Sequence, residues 1–499
     1  MMSEPISRRK TLVDYRISTT RCRQCGKVYF PPKSFCDNEG RASEMVPVDH
    51  LYSKGVFYAG SLITAPSNKF SHLEKFVSGV VYFPEDDFMT PGRITDYVPS
   101  SGSVDINEFI GRELVPRFRR IYADGADGLV SYSSLNFSFA DEYYPHQEYV
   151  QVEPSESCEY PGIVGYGSYL PRFRIRNDSA ILGVRERTIP FADEDTTTFS
   201  IEAGKRALIH SGVDSHLVKK CYVGSESPTY AVKPVMATVI QALELGERHE
   251  DGFFSGGIDS QFACKAASDL LIDGAALVGF PAFDGEYVMV IGADNSQAAP
   301  GDALDFTVGA GGTAYILGKR DVIATIDYYV SYTSDTPDFY RREGQKYPKH
   351  GGRFTGEPAY FKHVLTAMRR ILDKGDLQPK DISYVVCHSP NATFPWRAAQ
   401  AVGFEREQVE QGLVVERIGN LYSGSSLTGL AAVLDVAEPG EKILMTSYGS
   451  GSGSDAYIFT VTDTIVEKRE RRISVWDQVE NPHRQYVDYA TYRKWKELG

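Results

Sequence analysis

The feature that most constrains this chain is a repetition within residues 162–462, where helices alternate with buried strands in an α/β pattern. In the first half, a helix with Phe199, Ala203 and Ala207 on one face ends at Gly212. The strand-like run Lys220 to Gly224 follows, and then Ser225-Glu226. In the second half, a helix from about Pro358 to Leu372 ends near Gly375, the strand Ser383 to Cys387 follows, and His388 comes next. Glu226 and His388 therefore fall at equivalent strand ends. A second pair of landmarks agrees: Cys264 precedes the helix Lys265 to Leu271, and Asn420 precedes the helix Ser425 to Val433. Glycines follow at Gly292 and Gly449, at spacings of 28 and 29 residues. Duplication is the economical reading. Equivalent loops then face one another across a pseudo-twofold axis, and ligands of α/β sheets gather at strand C-termini. The pattern predicts Glu226, Cys264, His388 and Asn420 in one pocket.

Each residue has a chemical use and a plain alternative. Cys264 opens a helix, where exposed amides and the macrodipole favour a thiolate and bring its pKa toward neutrality, or it is a small buried residue. His388, closed off by Pro390, is a hydrogen-bond donor to a thioester or ketone oxygen, or a capping histidine. Glu226, if desolvated, has a raised pKa suited to moving a proton. Asn420 alone reads as a left-handed turn residue. The run Gly449-Ser450-Gly451-Ser452-Gly453-Ser454 lets backbone approach a ligand, or is a bare turn; it lacks the lysine of a phosphate loop.

The first 161 residues are different in kind. Cys22-x2-Cys25-Gly26 is half of a zinc ribbon, and Cys36 returns after Pro31-Pro32. The position three beyond Cys36 is Glu39, so the expected ligand set is Cys22, Cys25 and Cys36 with Glu39 as a possible fourth. From residue 46 to 140, short apolar runs at Val56 to Tyr58, Leu62-Ile63, Val77 to Phe83 and Leu129 to Phe137 predict a five-stranded OB-type barrel. Residues 141–161 read as a linker, and residues 162–499 as one large domain with halves at about 162–320 and 321–462 and a tail over 463–499. With 53 basic and 66 acidic residues the formal charge is −13, which provides no broad basic field for nucleic acid or an anionic membrane. No apolar run approaches the roughly 18 residues of a spanning helix, and seven cysteines suit metal binding or catalysis in a reducing compartment. A cytoplasmic location is expected.

Taken in order, GIVGYG (162–167), VGSESPTYAVKP (223–234), QFACKAAS (261–268), GRFTGEPAYFKHV (352–364), CHSPN (387–391), IGNLYSGSSLTGLAAVLD (418–435) and SYGSGSGSDA (447–456) resemble the 3-hydroxy-3-methylglutaryl-CoA synthase branch of the thiolase superfamily, closest to its archaeal form. Residues 1–140 resemble, more loosely, the acyl-CoA-associated family that joins a rubredoxin-like zinc ribbon to an OB barrel. The resemblance implies a thiolase-like fold with a duplicated α-β-α-β-α core, preceded by ribbon and barrel, and coenzyme A thioesters as substrates. It also implies roles. Cys264 is acylated by acetyl-CoA, Glu226 takes a proton from the acetyl methyl and later returns one, and His388 anchors the acceptor thioester. Asn420 and Ser450 hold acyl oxygens, Gly449 lines the substrate site, and Lys233 and Arg397 are candidates for coenzyme A contact. Aldol addition to acetoacetyl-CoA, or a related β-keto thioester, and hydrolysis complete the reaction. A homodimer is implied, as is a thiolase partner bridged by the ribbon and barrel. Two departures stand out: Ala392-Thr393-Phe394-Pro395 replaces the usual Gly-Lys-Phe-Pro, and Gln261 replaces a glutamate. The rival readings are a Claisen-type acyltransferase or ketoacyl synthase, which needs no carboxylate base, and a non-catalytic scaffold binding acyl-CoA or a thiolase.

Overall fold

A computed structural model of the chain describes residues 4–98, 104–123, 128–155, 157–295, 297–451 and 453–498. It divides into two compact units. The first contains residues 1–149 with the short segment 191–194 and the C-terminal 489–499; the second contains 150–190 and 195–488.

The first unit opens with helix α1 (Glu4–Arg16) and a small antiparallel sheet of β1 (Thr19–Cys22), β2 (Val28–Tyr29) and β3 (Met45–Val48). A closed barrel follows, built from β4 (Gly55–Ile63), β5 (Phe76–Phe83), β6 (Phe88–Ile94), β7 (Glu113–Ala123) and β8 (Val130–Phe139). The third strand closes in parallel on the fifth and the fourth on the first, which is OB order. Phe57, Val77, Val81, Phe83, Leu114 and Phe137 fill its core. Two of these strands were not among the apolar runs, because β7 carries arginines. Arg119 is fully buried, yet it meets Asp96 at 2.9 Å and Glu194 at 3.3 Å, while Arg93 meets Asp193 at 2.6 Å. Paired in this way, the charges are tolerated inside.

The second unit begins with β9 (Ser157–Tyr169), so the last residues of the expected linker are already strand. A side sheet joins β10 (Phe173–Ile181) and β11 (Val184–Ile189). The first half continues with α2 (Thr196–Ser211), β12 (Val218–Gly224), α3 (Val235–Leu243), the hairpin β13 (Glu247–His249) and β14 (Gly252–Phe254), β15 (Gly256–Ser260), α4 (Ala266–Val278), β16 (Tyr287–Asp294) and β17 (Gly311–Arg320). Asp195 caps α2 in a reciprocal box with Thr198, and Gly212, at φ 70°, ends it. The second half runs through β18 (Ala324–Thr333), the two-residue strands β19 (Phe339–Tyr340) and β20 (Lys349–His350), α5 (Phe361–Gly375), β21 (Tyr384–Cys387), α6 (Thr393–Gln400), the single turns α7 (Glu407–Glu410) and α8 (Val415–Ile418), α9 (Ser425–Leu434), β22 (Lys442–Thr446) and β23 (Gly453–Val461). The predicted start of α5 at Pro358 is instead a wide turn over Thr355–Tyr360, as expected where a proline removes a backbone donor. Its terminal elements are α10 (Thr464–Lys468), α11 (Val475–Glu480) and β24 (Gln485–Tyr486), which pairs with β10; the last helix of the chain, α12 (Tyr489–Leu498), belongs to the first unit.

The duplication is written into the sheet. Its nine strands run β15-β12-β16-β17-β9-β18-β23-β22-β21. Reading outward from the β9–β18 junction, β9, β17, β16 and β12 correspond to β18, β23, β22 and β21. The junction is slight, Ile163 opposite Ala324 and Gly162 opposite Thr325, so the halves are two sheets joined at a corner. Helices α4 and α9 pack between them, with Leu270, Leu271, Leu427, Leu430 and Ala431 in one continuous core. The side chains of β16 are buried throughout, as in a strand covered on both faces. This is the predicted α-β-α-β-α arrangement.

Candidate active site and metal centre

Four loops converge at the C-terminal ends of the inner strands. At the end of β12, Gly224 has no room for a side chain: a Cβ would stand 2.2 Å from the Ala267 amide nitrogen. That close approach brings Glu226 to the start of α4. Cys264 Sγ donates to Glu226 Oε1 at 3.0 Å, and both residues are buried, at 5% and 8% exposure. Asn420 is held between Thr307 and Gly309 by backbone bonds of 2.7 and 2.8 Å. Its Oδ1 accepts from the Tyr422 amide, which leaves the side-chain NH2 for the Cys264 sulfur. The left-handed residue of this turn is Tyr422, at φ 51°, rather than Asn420. His388 follows β21 and is buried, its amide bonded to the Thr446 carbonyl and its carbonyl to the Tyr360 hydroxyl. Its Nδ1 has no partner among the described residues.

The electrostatics of this pocket correct one expectation. Burial, followed by the nearby Glu226 and Asp294 carboxyls, pushes the Cys264 thiol well above its ordinary range. The expected shift toward neutrality does not occur. The helix begins only at Ala266, and two acidic neighbours outweigh its dipole in a dry site. Burial and the Asp294 charge raise Glu226 to about 8, against the opposing pull of the Cys264 hydrogen bond and Arg341. Burial lowers His388 to about 3, so its ring is neutral at physiological pH. A high thiol bonded to a carboxyl near 8 is a proton-exchanging pair. An ionised Glu226 at this distance can accept a thiol proton.

Asp294, at the end of β16, ties these loops together and was not foreseen. Its Oδ1 accepts from the Ser225 hydroxyl and Glu226 amide at 2.8 Å each and from Ser227 at 2.7 and 3.0 Å; its Oδ2 accepts from Ser423 at 2.5 and 2.9 Å. The signal for it was an acid directly after an unbroken apolar run, in the position that β12 gives to Ser225-Glu226. Gln297 and Arg341, both bonded to the Glu226 carbonyl, had no signal in periodicity or motif.

The remaining predicted residues fall at varying distances from this cluster. Gly449 is required by close approach, but to protein: a Cβ there would lie 2.6 Å from the Phe262 carbonyl, in the turn that delivers Cys264. Ser450 is half-buried and bonds to the Tyr448 phenol, whose ring centroid is 6.3 Å from that of His388. Ser452 lies outside the described residues. Lys233 bonds Thr238 at 3.0 Å and lines an open cleft of about 890 Å³ with Ser225, Gln261 and Arg341. Arg397 sits on the exposed side of α6, paired with Glu357 at 2.9 Å and stacked on Phe361, and among the described residues no bond joins it to the Cys264 cluster.

In the ribbon, the sulfurs of Cys22, Cys25 and Cys36 all lie within 4.8 Å of one another, with Cys25 and Cys36 at 3.4 Å. Zinc with Zn–S bonds near 2.3 Å sets tetrahedral sulfurs about 3.8 Å apart, so the three fit one ion. Desolvation opposes ionisation of Cys36, but hydrogen bonds from the Tyr29 hydroxyl and the Glu39 and Asn38 amides outweigh it and lower the thiol to about 6. Glu39 serves through its backbone. Its carboxylate is not within the cluster, and no fourth His, Cys, Asp or Glu ligand joins it among the described residues. The side chain of Glu39 is exposed, where water competes for it.

Residues 9–38 match the family described as ChsH2, rubredoxin-like zinc ribbon domain. Residues 372–461 match the 3-oxoacyl-[acyl-carrier-protein (ACP)] synthase III C terminal family. The solved structure of MvaS in complex with 3-hydroxy-3-methylglutaryl coenzyme A is similar with a TM-score of 0.60 at 20% identity, covering 70% of this chain and 93% of that one. FabH from Pseudomonas aeruginosa PAO1, a 3-oxoacyl-(acyl carrier protein) synthase III, is similar with a TM-score of 0.54 at 18% identity, covering 61% and 99%. Both place the second unit in the thiolase-like fold. Curated sequences are far nearer. A hydroxymethylglutaryl-CoA synthase of Methanopyrus kandleri is 46% identical over 356 residues, covering 69% of this chain and 98% of that protein. One from Methanothermobacter thermautotrophicus is 47% identical over 348 residues, covering 67% and 98%. Almost the whole length of these enzymes is thus represented here at close to half identity, and the chain belongs to the hydroxymethylglutaryl-CoA synthase family.

Proposed function

We propose that this chain is an acyltransferase that condenses acetyl-CoA with acetoacetyl-CoA, or a related β-keto thioester, by aldol chemistry. The observation that carries the reading is the Cys264–Glu226 pair: a nucleophile bonded at 3.0 Å to a carboxyl group poised near 8. Cys264 attacks acetyl-CoA, its proton passes through Glu226 to the departing coenzyme A thiolate, and the acetyl group remains on sulfur. Glu226 then removes a proton from the acetyl methyl. The resulting enolate carbon bonds to the ketone carbon of the acceptor, and the alkoxide formed there takes the proton back from Glu226. His388, neutral and buried, donates a hydrogen bond to the acceptor thioester oxygen, while the Asn420 amide and Ser450 hydroxyl hold acyl oxygens. Water finally cleaves the Cys264 thioester and frees the product. A Claisen-type synthase has no use for a carboxyl group held against its nucleophile.

Three further assignments belong to this reading. Zinc at Cys22, Cys25 and Cys36 organises the ribbon. Strand β15 ends the sheet, and the exposed Ile258, Phe254 and Val232 around it suit pairing with a second copy in a homodimer. The exposed Phe35, Tyr58 and Met89 of the first unit suit a thiolase partner. All seven cysteines are free thiols, consistent with a reducing compartment such as the cytoplasm. The test is incubation with acetyl-CoA alone, then with a panel of acceptors. An acetyl group on Cys264 by peptide mapping and a β-hydroxy product by mass are expected. A label on another cysteine overturns the nucleophile, and a product lacking the new hydroxyl overturns aldol chemistry.

A further inference from the structure

We infer that the segment between β18 and the turn before α5, residues 334–351, is a positioning strap for the condensing site, in which Arg341 anchors the main chain of Glu226 and Asp338 orients the loop of Ser450. This inference rests on the roles assigned to Glu226 and Ser450 above.

The strap is a hairpin excursion in which Phe339 pairs with His350 and Tyr340 with Lys349. Asp338 and Arg341 flank its first strand, and each reaches a different catalytic loop. Arg341 Nη2 donates to the Glu226 carbonyl at 3.1 Å, and Nη1 donates to Gln297 Oε1 at 2.6 Å. Gln297 Nε2 in turn donates to the same Glu226 carbonyl at 3.1 Å. The backbone of Glu226 is therefore gripped from two sides, with Asp294 holding its amide. A planar guanidinium with two separated donors suits this fork, where an ammonium makes one contact.

Asp338 is fully buried. Its Oδ2 accepts from the Tyr448 hydroxyl at 2.8 Å and its Oδ1 from the Gly451 amide at 2.7 Å, so one carboxylate brackets Gly449 and Ser450. The Thr336 amide donates to the Gly451 carbonyl at 3.0 Å, and the Asp338 carbonyl accepts from Gly351 at 2.7 Å, which closes the hairpin on itself. A single excursion from the second half thus sets both the proton-moving group of the first half and the acyl-holding loop of the second.

The charged and titratable neighbours of Glu226 are Cys264 at the start of α4, Asp294 at the end of β16 and Arg341 on the strap. Arg341 is the cation in that set, so its loss disfavours the ionised carboxylate. Arg341 lies on the open cleft and is exposed, so its effect is screened and modest.

The test uses the full-length protein with R341M, R341K and D338N. The midpoint of Glu226 is read by infrared difference titration against E226Q, which needs no substrate turnover, and condensation and burst acylation are followed against pH. R341M is expected to move both the infrared midpoint and the acid limb of condensation upward by roughly half to one pH unit, and to lower condensation about 10-fold at neutral pH. R341K restores the midpoint but not the rate, since one donor replaces a fork. D338N leaves the midpoint in place and slows acylation of Cys264 about 10-fold. An unmoved midpoint in R341M, or wild-type kcat in R341K, overturns the role of Arg341; wild-type acylation in D338N overturns that of Asp338. R341K also decides the matter if R341M melts early. Wild-type protein that condenses no acceptor while the infrared midpoint still follows Arg341 defeats the proposed reaction and not the strap.

Discussion

The two halves of the second unit place Glu226 and His388 at equivalent strand ends, both buried, and the same burial drives them in opposite directions. A carboxyl group is charged when deprotonated, so loss of water lifts Glu226 to about 8; an imidazole is charged when protonated, so it drops His388 to about 3. Both side chains are neutral near pH 7, yet only one lies close enough to working pH to exchange a proton. In the proposed reaction a duplicated scaffold divides labour accordingly: the first half, with Cys264 and Glu226, moves protons and forms bonds to carbon, and the second, with His388 and Asn420, supplies fixed donors.

The comparison breaks most severely with Glu226→Gln. Glutamine keeps the shape but accepts no proton, so acylation of Cys264 should slow, and condensation, which loses both proton transfers, should fall further, by roughly 10²- to 10⁴-fold. Burst acylation and steady-state condensation on one preparation measure both, and condensation near the wild-type rate would take proton transfer away from the first half. The same variant reports on stability. The native carboxyl at about 8 stands above its ordinary 4.5, so ionisation destabilises the fold progressively as pH rises through that interval. The variant should therefore melt above wild type beyond pH 8, the advantage closing toward pH 4.5.

A smaller effect is expected of His388→Asn, which keeps an N–H donor on a shorter side chain. Condensation should drop by about 10-fold, with the acid limb of the pH profile unmoved, because the wild-type ring does not titrate near it. A displaced limb would mean that the second half also moves protons.

The smallest effect on chemistry is expected from the ribbon, which belongs to the other compact unit. Metal analysis should find about one zinc per chain in the wild type and a loss of it in Cys22→Ser/Cys25→Ser. Condensation should persist in that variant. Unchanged metal content would dismiss the three-cysteine site.

Much of this arrangement was legible because repetition and motif are local signals. The strand–loop–helix order around Glu226, Cys264, His388 and Asn420 could be read twice in one chain, and Cys-x2-Cys announced the ribbon. Barrel strands β6 and β7 were illegible for a physical reason. Pro91, Arg93, Arg117 and Arg119 break the alternation of apolar residues, and only distant acids such as Asp96 and Asp193 make Arg119 and Arg93 compatible with burial. The state of Cys264 was misjudged on similar grounds, since a helix terminus is visible in sequence but the carboxyls facing it are not. Glu39 illustrates the converse. Its spacing was right for a ligand, and its amide is used while its carboxylate stays in water.

The amino-acid sequence by itself determined the duplicated α/β fold, the ribbon's thiols and which residues can act as nucleophile, base and donor, because hydrophobic period, turn chemistry and side-chain type are properties of short stretches. Only the tertiary structure decided their protonation and orientation: that burial and the Glu226 carboxyl, rather than a helix dipole, set the state of Cys264, that Asp294 welds the loops, and that Arg341 and Asp338 reach them from far along the chain. Desolvation and Coulomb interactions act through space between residues tens or hundreds of positions apart, and those distances exist only once the chain has folded.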